Sequence, residues 1–158
     1  MPQTMLIIDD DTAFLESCQR IFTEEGFTVT TITNPVEGIE LAKRKPYTVI
    51  LCDWHMPELD GRNVVAELET HAPESAVVMI SENPSVGWAT EAMQRGAMAY
   101  LAKPFTPEEI STTVQKAIVG KLTREKKALG RLEKLLGKFP TQSVDDRGPH
   151  IIAETIAE

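Results

Sequence analysis

Cysteine is scarce: Cys18 and Cys52 are the only two in 158 residues, and no Cys-x-x-Cys spacing joins them. This excludes a disulfide framework, and the pair reads as two reduced core thiols of a cytosolic protein. Histidine is equally sparse, with three residues, and no His/Cys cluster offers a zinc site. No apolar run approaches the roughly 18 residues that a membrane-spanning helix needs. The N-terminus lacks a basic region followed by an apolar core, so no secretion signal is read there. Positive charge is also short: the formal net charge is −8. That balance argues against wholesale nucleic-acid binding and favours solubility.

The chain does contain an ordinary globular composition, 42% hydrophobic and 25% charged, enough for a core of useful size. The length suits one domain of about 100–150 residues with an appendage. Charge divides unevenly. Residues 1–120 carry 8 basic and 18 acidic side chains, net −10; residues 121–138 carry 7 and 2, net +5; residues 139–158 carry 1 and 4, net −3. The shift places a domain boundary near Gly120.

Short apolar or β-branched runs at 4–8, 28–32, 48–52, 76–80 and 98–101 are bounded by turn residues and read as strands. Those at 48–52 and 76–80 are apolar throughout, as a strand covered on both faces should be. Helical patterns lie between them. Phe14, Cys18, Ile21 and Phe22 define one apolar face, with Gly26 as its stop. Val36, Ile39, Leu41 and Ala42 define the next, then Val64, Val65 and Leu68. Trp88, Ala89, Ala92 and Met93 form a fourth, ended by Gly96. Thr106-Pro107-Glu108-Glu109 opens a fifth helix as N-cap, first-turn proline and first-turn acids. Five βα repeats with short connections predict an α/β fold, a parallel sheet with helices on both faces. Ligands of such sheets bind outside the carboxyl ends of the strands, where Asp9–Asp11, Asp53, Ser81 and Lys103 fall.

Asp9, Asp10 and Asp53 would crowd one crevice, and like charges that close need a cation among them. Lys103 supplies one fixed positive charge. A hard divalent ion, Mg²⁺ first, suits carboxylate, backbone carbonyl and water ligands. An acidic pocket with a metal, one lysine and one hydroxyl suits phosphoryl transfer. Asp53, alone at the end of a central strand, is the better-placed nucleophile, and the N-terminal aspartates are better placed to hold metal. Asp11 reads most simply as a helix N-cap.

These segments together, "IIDDD" (7–11), "ILCDWHMPELDG" (50–61), "VMIS" (78–81) and "AYLAKPF" (99–105), resemble the receiver domain of two-component response regulators over residues 4 to about 119. The resemblance implies a flavodoxin-like, doubly wound five-stranded sheet of order 2-1-3-4-5, here with an extended C-terminal helix. It implies a signalling module rather than an enzyme, cytoplasmic, taking part in its own phosphotransfer. Asp53 would accept a phosphoryl group from a sensor histidine kinase or a histidine phosphotransfer protein. Asp10, Asp53 and the backbone carbonyl of His55 would ligate Mg²⁺ or Mn²⁺, with Asp9 acting mainly through water. Ser81 and Lys103 would contact the phosphoryl group, and Ser81 with Tyr100 would form the switch that repositions the face of the fourth helix, fifth strand and fifth helix. The Lys103–Pro104 bond would be cis. The chain departs from the pattern at Glu82, where the family usually has Ala or Gly; a bulky anion there is expected to slow phosphorylation. His55 and Asn83 occupy positions that tune dephosphorylation. Two other readings use the same residues: a degenerate receiver acting as a phosphorylation-independent scaffold, and a haloacid-dehalogenase-like phosphatase. The latter needs Asp-x-Asp-x-Thr or Val, and Asp9-x-Asp11 is followed at the fifth position by Ala13.

Beyond the receiver at 1–120, residues 121–139 read as a continuation of the fifth helix, with Leu122, Leu129, Leu132, Leu136 and Phe139 at a/d spacing. Glu125 interrupts that stripe, and Gly130 and Gly137 weaken the helix. This segment, or the fourth-helix face, could support a homodimer. Residues 140–158 read as a flexible or short helical tail, and His55, His71 and His150 as surface or loop histidines. Neither nucleic acid nor membrane is expected as a partner, and no DNA-binding output domain is recognisable.

Overall fold

The computed structural model describes residues 3–57 and 59–137; the expectations for Phe139, the 140–158 tail and His150 lie outside them. Five strands form one parallel sheet: β1 (Thr4–Ile8), β2 (Thr28–Ile32), β3 (Val49–Asp53), β6 (Ala76–Ser81) and β7 (Ala99–Ala102). Two further strands, β4 (His55–Met56) and β5 (Leu59–Asp60), pair antiparallel as a small separate hairpin. Five helices alternate with them: α1 (Thr12–Glu24), α2 (Pro35–Arg44), α3 (Gly61–His71), α4 (Val86–Gln94) and α5 (Pro107–Leu136). The order β2-β1-β3-β6-β7 is the flavodoxin-like 2-1-3-4-5 order once the hairpin is set aside.

β1, β3 and β6 occupy the middle, and every residue of β3 and β6 is buried. That is why these runs carry no polar alternation: both faces are covered. One cluster centres on Leu6, Ile50, Val65, Leu68 and Met79, the other on Ile7, Phe22, Leu51, Ile80 and Ile110. Residues two apart on one strand, such as Ile50 and Leu51's neighbour Cys52, fall in the same cluster because side chains alternate across the sheet.

Local chemistry starts each helix. The Asp11 carboxylate accepts from the N–H groups of Ala13 and Phe14, so it is the N-cap of α1. Asn34 caps α2 and Ser85 caps α4 in the same way. At α5 the Thr106 hydroxyl accepts from Glu109 N–H while the Glu109 carboxylate accepts from Thr106 N–H, a reciprocal capping box. Gly26 and Gly96, at φ +97° and +116°, turn the chain out of α1 and α4 in the left-handed region where a side chain would be strained.

Two helix-face expectations need correction. Val36 is 52% and Met93 45% exposed, so neither belongs to the core. α2 instead buries Pro35, Gly38, Ile39 and Ala42. α4 fully buries Ala92 alone. On α1, Leu15 is buried alongside Cys18 and Phe22, while Phe14 and Ile21 sit at the cluster margin. Both cysteines are free and buried, and desolvation pushes the Cys18 thiol up to about 12.

Contacts separate the chain after Lys121. In the second unit, the described helical residues expose Leu122, Leu129 and Leu135. No helix among the described residues is long and apolar enough to cross a membrane.

Candidate functional site

Parallel pairing aligns the strand ends and so assembles the site. β1 ends at Ile8, paired with Cys52 of β3, and Asp53 pairs with Ile80 of β6. Asp9 therefore follows directly on β1 beside Asp53. Ser81 closes β6 and pairs with Ala102 of β7, and Lys103 comes next. The Asp9 N–H is held by Ile32 O at 3.2 Å and the Lys103 N–H by Ser81 O at 2.8 Å. The main chain at these ends is thus fixed before any side chain is considered. The Lys103–Pro104 bond is cis.

One carboxylate oxygen from each of Asp9, Asp10 and Asp53 lies within 4.8 Å of the others. Asp9 is 1% and Asp53 6% exposed, whereas Asp10 faces solvent. Desolvation raises the carboxyl of Asp53 to about 6, helped by the negative charge of Asp9 and opposed by Lys103. Desolvation also raises Asp9, against the hydrogen bond from Lys103. Two buried acids held above their usual range, with a third at the rim, fit a hard divalent cation bound through carboxylate oxygens.

Lys103 reaches Asp9, not Asp53: its ammonium donates to Asp9 Oδ2 at 2.8 Å. Burial disfavours that charge, but the hydrogen bond and the attraction of Asp9, Asp53 and Glu82 outweigh it and hold Lys103 above its ordinary value. The ammonium also lies 4.1 Å from the centre of the Phe14 ring. Glu82, 4.0 Å from Lys103 with its side chain 68% exposed, stands at the mouth of the site.

Ser81 is fully buried, and its hydroxyl accepts from Asn83 N–H at 3.1 Å. The Tyr100 hydroxyl is buried with no hydrogen-bond partner among the described residues, and its ring meets Trp54 edge-on at 5.7 Å. His55 donates its backbone N–H to Asp53 Oδ1 at 3.3 Å. Its exposed ring rests against Trp88 of α4, with centroids 4.4 Å apart. His71 pairs with Glu67 at the surface of α3.

The β4–β5 hairpin and its contacts went unread in the sequence. Trp54 is buried directly after Asp53, and Gly61 N–H returns to its carbonyl at 3.1 Å. A Cβ on Gly61 would stand 2.6 Å from that carbonyl oxygen and 2.7 Å from the indole. Asp60 caps α3 and its side chain binds Arg62, which holds its carboxyl below the usual range. The turn signal was present in Pro57 and Asp60-Gly61, but two-residue strands carry no periodicity to detect.

A family model described as the response regulator receiver domain matches residues 5–115. The alginate biosynthesis transcriptional regulatory protein AlgB of Pseudomonas aeruginosa is 30% identical over 126 residues, which cover 79% of this chain and 28% of that protein. The chain spans about a third or less of the length of the curated relatives it matches. A response regulator from Burkholderia pseudomallei, solved with a phosphorylated aspartic acid, calcium ion and citrate, superposes with a TM-score of 0.69 at 26% identity, covering 81% of this chain and 74% of that one. The beryllofluoride-activated NtrC4 receiver domain dimer superposes at 0.71 with 30% identity, covering 75% and 98%.

Proposed function

The chain belongs to the response regulator receiver domain family, and from that premise we propose that it is a phosphorylation-controlled switch whose phosphoacceptor is Asp53. The observation that carries this reading is the position of Asp53. It ends a central, fully buried strand, with its carboxylate beside Asp9 and Asp10 and with Lys103 anchored 2.8 Å from Asp9.

Asp53 is the nucleophile, and its backbone neighbour His55 N–H orients one of its oxygens, leaving the other for attack. Asp10, Asp53 and the His55 carbonyl would hold Mg²⁺ or Mn²⁺, and Asp9 would reach it mainly through water. When bound, the ion supplies positive charge that offsets the crowded carboxylates and the incoming phosphoryl oxygens. Lys103, half-buried and charged, is kept close by Asp9 and is available to a phosphoryl oxygen at the strand end. Ser81 would give up Asn83 N–H and turn its hydroxyl to the phosphoryl group. Tyr100, whose hydroxyl has no partner among the described residues, would follow that change. The donor is a phosphohistidine of a sensor kinase or phosphotransfer protein.

The switched surface is the face of α4, β7 and α5, where Val86 is 85% and Met93 45% exposed. A second copy is the proposed occupant, docked there or along the leucines of residues 122–136. The test is labelling by acetyl phosphate with Mg²⁺. Wild type should label and Asp53→Asn should not; equal labelling of both, or of neither, ends the reading. Beryllofluoride should shift the sedimentation of wild type toward dimer.

A further inference from the structure

The part of α5 beyond Lys121 carries a surface that the phosphotransfer chemistry does not use. Leu122, Leu129 and Leu135 are 53%, 57% and 45% exposed, and Leu132 and Leu136 are half-buried. Leu122, Glu125, Leu129, Leu132 and Leu136 alternate three and four positions apart along one helix, the spacing of a two-stranded seam. On the same period Arg124, Lys127, Gly130, Arg131 and Lys134 fall away from that seam. The basic residues are thus left to solvent, and the glycine costs the seam no contact.

Glu125 is the charged position of the seam, and it decides how two copies can lie. In a parallel pair each seam residue meets its own counterpart. Glu125 would then face Glu125, and Lys126 beside the seam would face Lys121 of the second copy, which is buried against Glu69 at 3.8 Å. An antiparallel pair that sets Leu129 against Leu132 of the second copy avoids both repulsions. Each Glu125 then lies opposite Leu136, near the end of the overlap and far from the other Glu125. Lys126 lies opposite Glu133 on one flank, twice by symmetry. Both side chains are exposed. On the other flank Ala128 lies opposite Leu135, so this exposed leucine outside the seam is covered as well. Sliding the register by one heptad either way sets Lys126 against Lys126 or Glu133 against Glu133. The charges therefore select one orientation and one register. Resting on the reading above that a second copy covers these leucines, we propose that residues 122–136 pair antiparallel with the same segment of a second copy, in the register Leu129–Leu132. The seam is short, so the pairing is weak and governed by protein concentration.

The test is sedimentation equilibrium of the full chain at low ionic strength, over a concentration series without phosphodonor. It compares wild type, Lys126→Glu, Glu133→Lys and an equal mixture of the two variants. Wild type should dimerise. Each variant alone sets like charges against each other at both charge pairs and should weaken the dimer by about tenfold. Glu133→Lys should do so although it reduces the net charge of −8, which removes general repulsion as the cause. The mixture should recover at least the wild-type affinity, because a heterodimer sets opposite charges at both pairs. A parallel pair responds with the other sign: Lys126→Glu would face Lys121 and tighten the dimer, and Glu133→Lys would face Ala128 and change nothing. That result overturns the proposal, as does a wild type that stays monomeric, or a dimer that neither substitution weakens. Labelling of the same variants by acetyl phosphate judges Asp53 independently. Loss of the pairing with labelling intact removes this proposal and leaves the phosphoacceptor reading in place.

Discussion

At the scale of single residues, Asp53 sets a cost that the fold carries for function. Its carboxyl is raised to about 6 from 3.8 because burial and Asp9 disfavour its charge. The folded protein therefore retains a proton that the unfolded chain gives up first. Its contribution to stability declines as pH rises from about 4 to about 6, and the deficit is complete above that. Asp53→Asn should accordingly raise stability at pH 7 by about 2 kcal/mol, with the gain vanishing below about pH 4; urea unfolding at a series of pH values measures it. Glu82 acts from outside. It competes for Lys103 from 4.0 Å but is well exposed, so its influence is modest and screened by salt. Glu82→Ala should speed labelling by acetyl phosphate by about two- to fivefold at low ionic strength, with the difference shrinking in high salt. Equal rates at low salt would show that the anion is immaterial.

At the scale of elements, the junction of the β4–β5 hairpin with α3 is sensitive to a single methyl group. A Cβ at Gly61 collides with the Trp54 carbonyl oxygen at 2.6 Å, and main chain cannot move aside as a flexible side chain can. Gly61→Ala should cost about 1–3 kcal/mol and disturb the near-ultraviolet dichroism of Trp54; thermal unfolding with that signal checks both. The central strands Val49–Cys52 and Ala76–Ile80 were legible because a doubly covered strand is an uninterrupted apolar run, and the edge strand Thr28–Ile32 because it is β-branched. The cluster of site residues was legible because parallel order brings strand ends to one edge. Other details were not. Which flank of a helix meets the sheet depends on packing, so Val36 and Met93, read on the apolar faces of their helices, are exposed. The partner of Lys103 depends on the path of a long side chain past Phe14, which no spacing encodes. The hairpin is too short for a period.

At the scale of the whole molecule, the proposed metal site would couple metal binding to global stability. A cation held by Asp10 and Asp53 beside Asp9 would bind the folded chain and relieve the repulsion that folding creates. Mg²⁺ at a hundred times its dissociation constant should add about 2.7 kcal/mol, and Asp10→Asn should remove most of that gain; melting temperature against Mg²⁺ concentration is the measurement. The same assembly has an optical consequence. The chain has two tryptophans. Trp54 follows Asp53 and lies buried against Tyr100, and Trp88 touches His55. Both indoles are therefore reporters of one site, and the intrinsic ultraviolet emission of the unlabelled protein is a direct readout of its state. Trp54 emits from a dry environment beside Asp53, and Trp88 emits from beside His55, so Trp88→Phe and Trp54→Phe would split the signal into one channel for the carboxylate and one for the His55 side of the site.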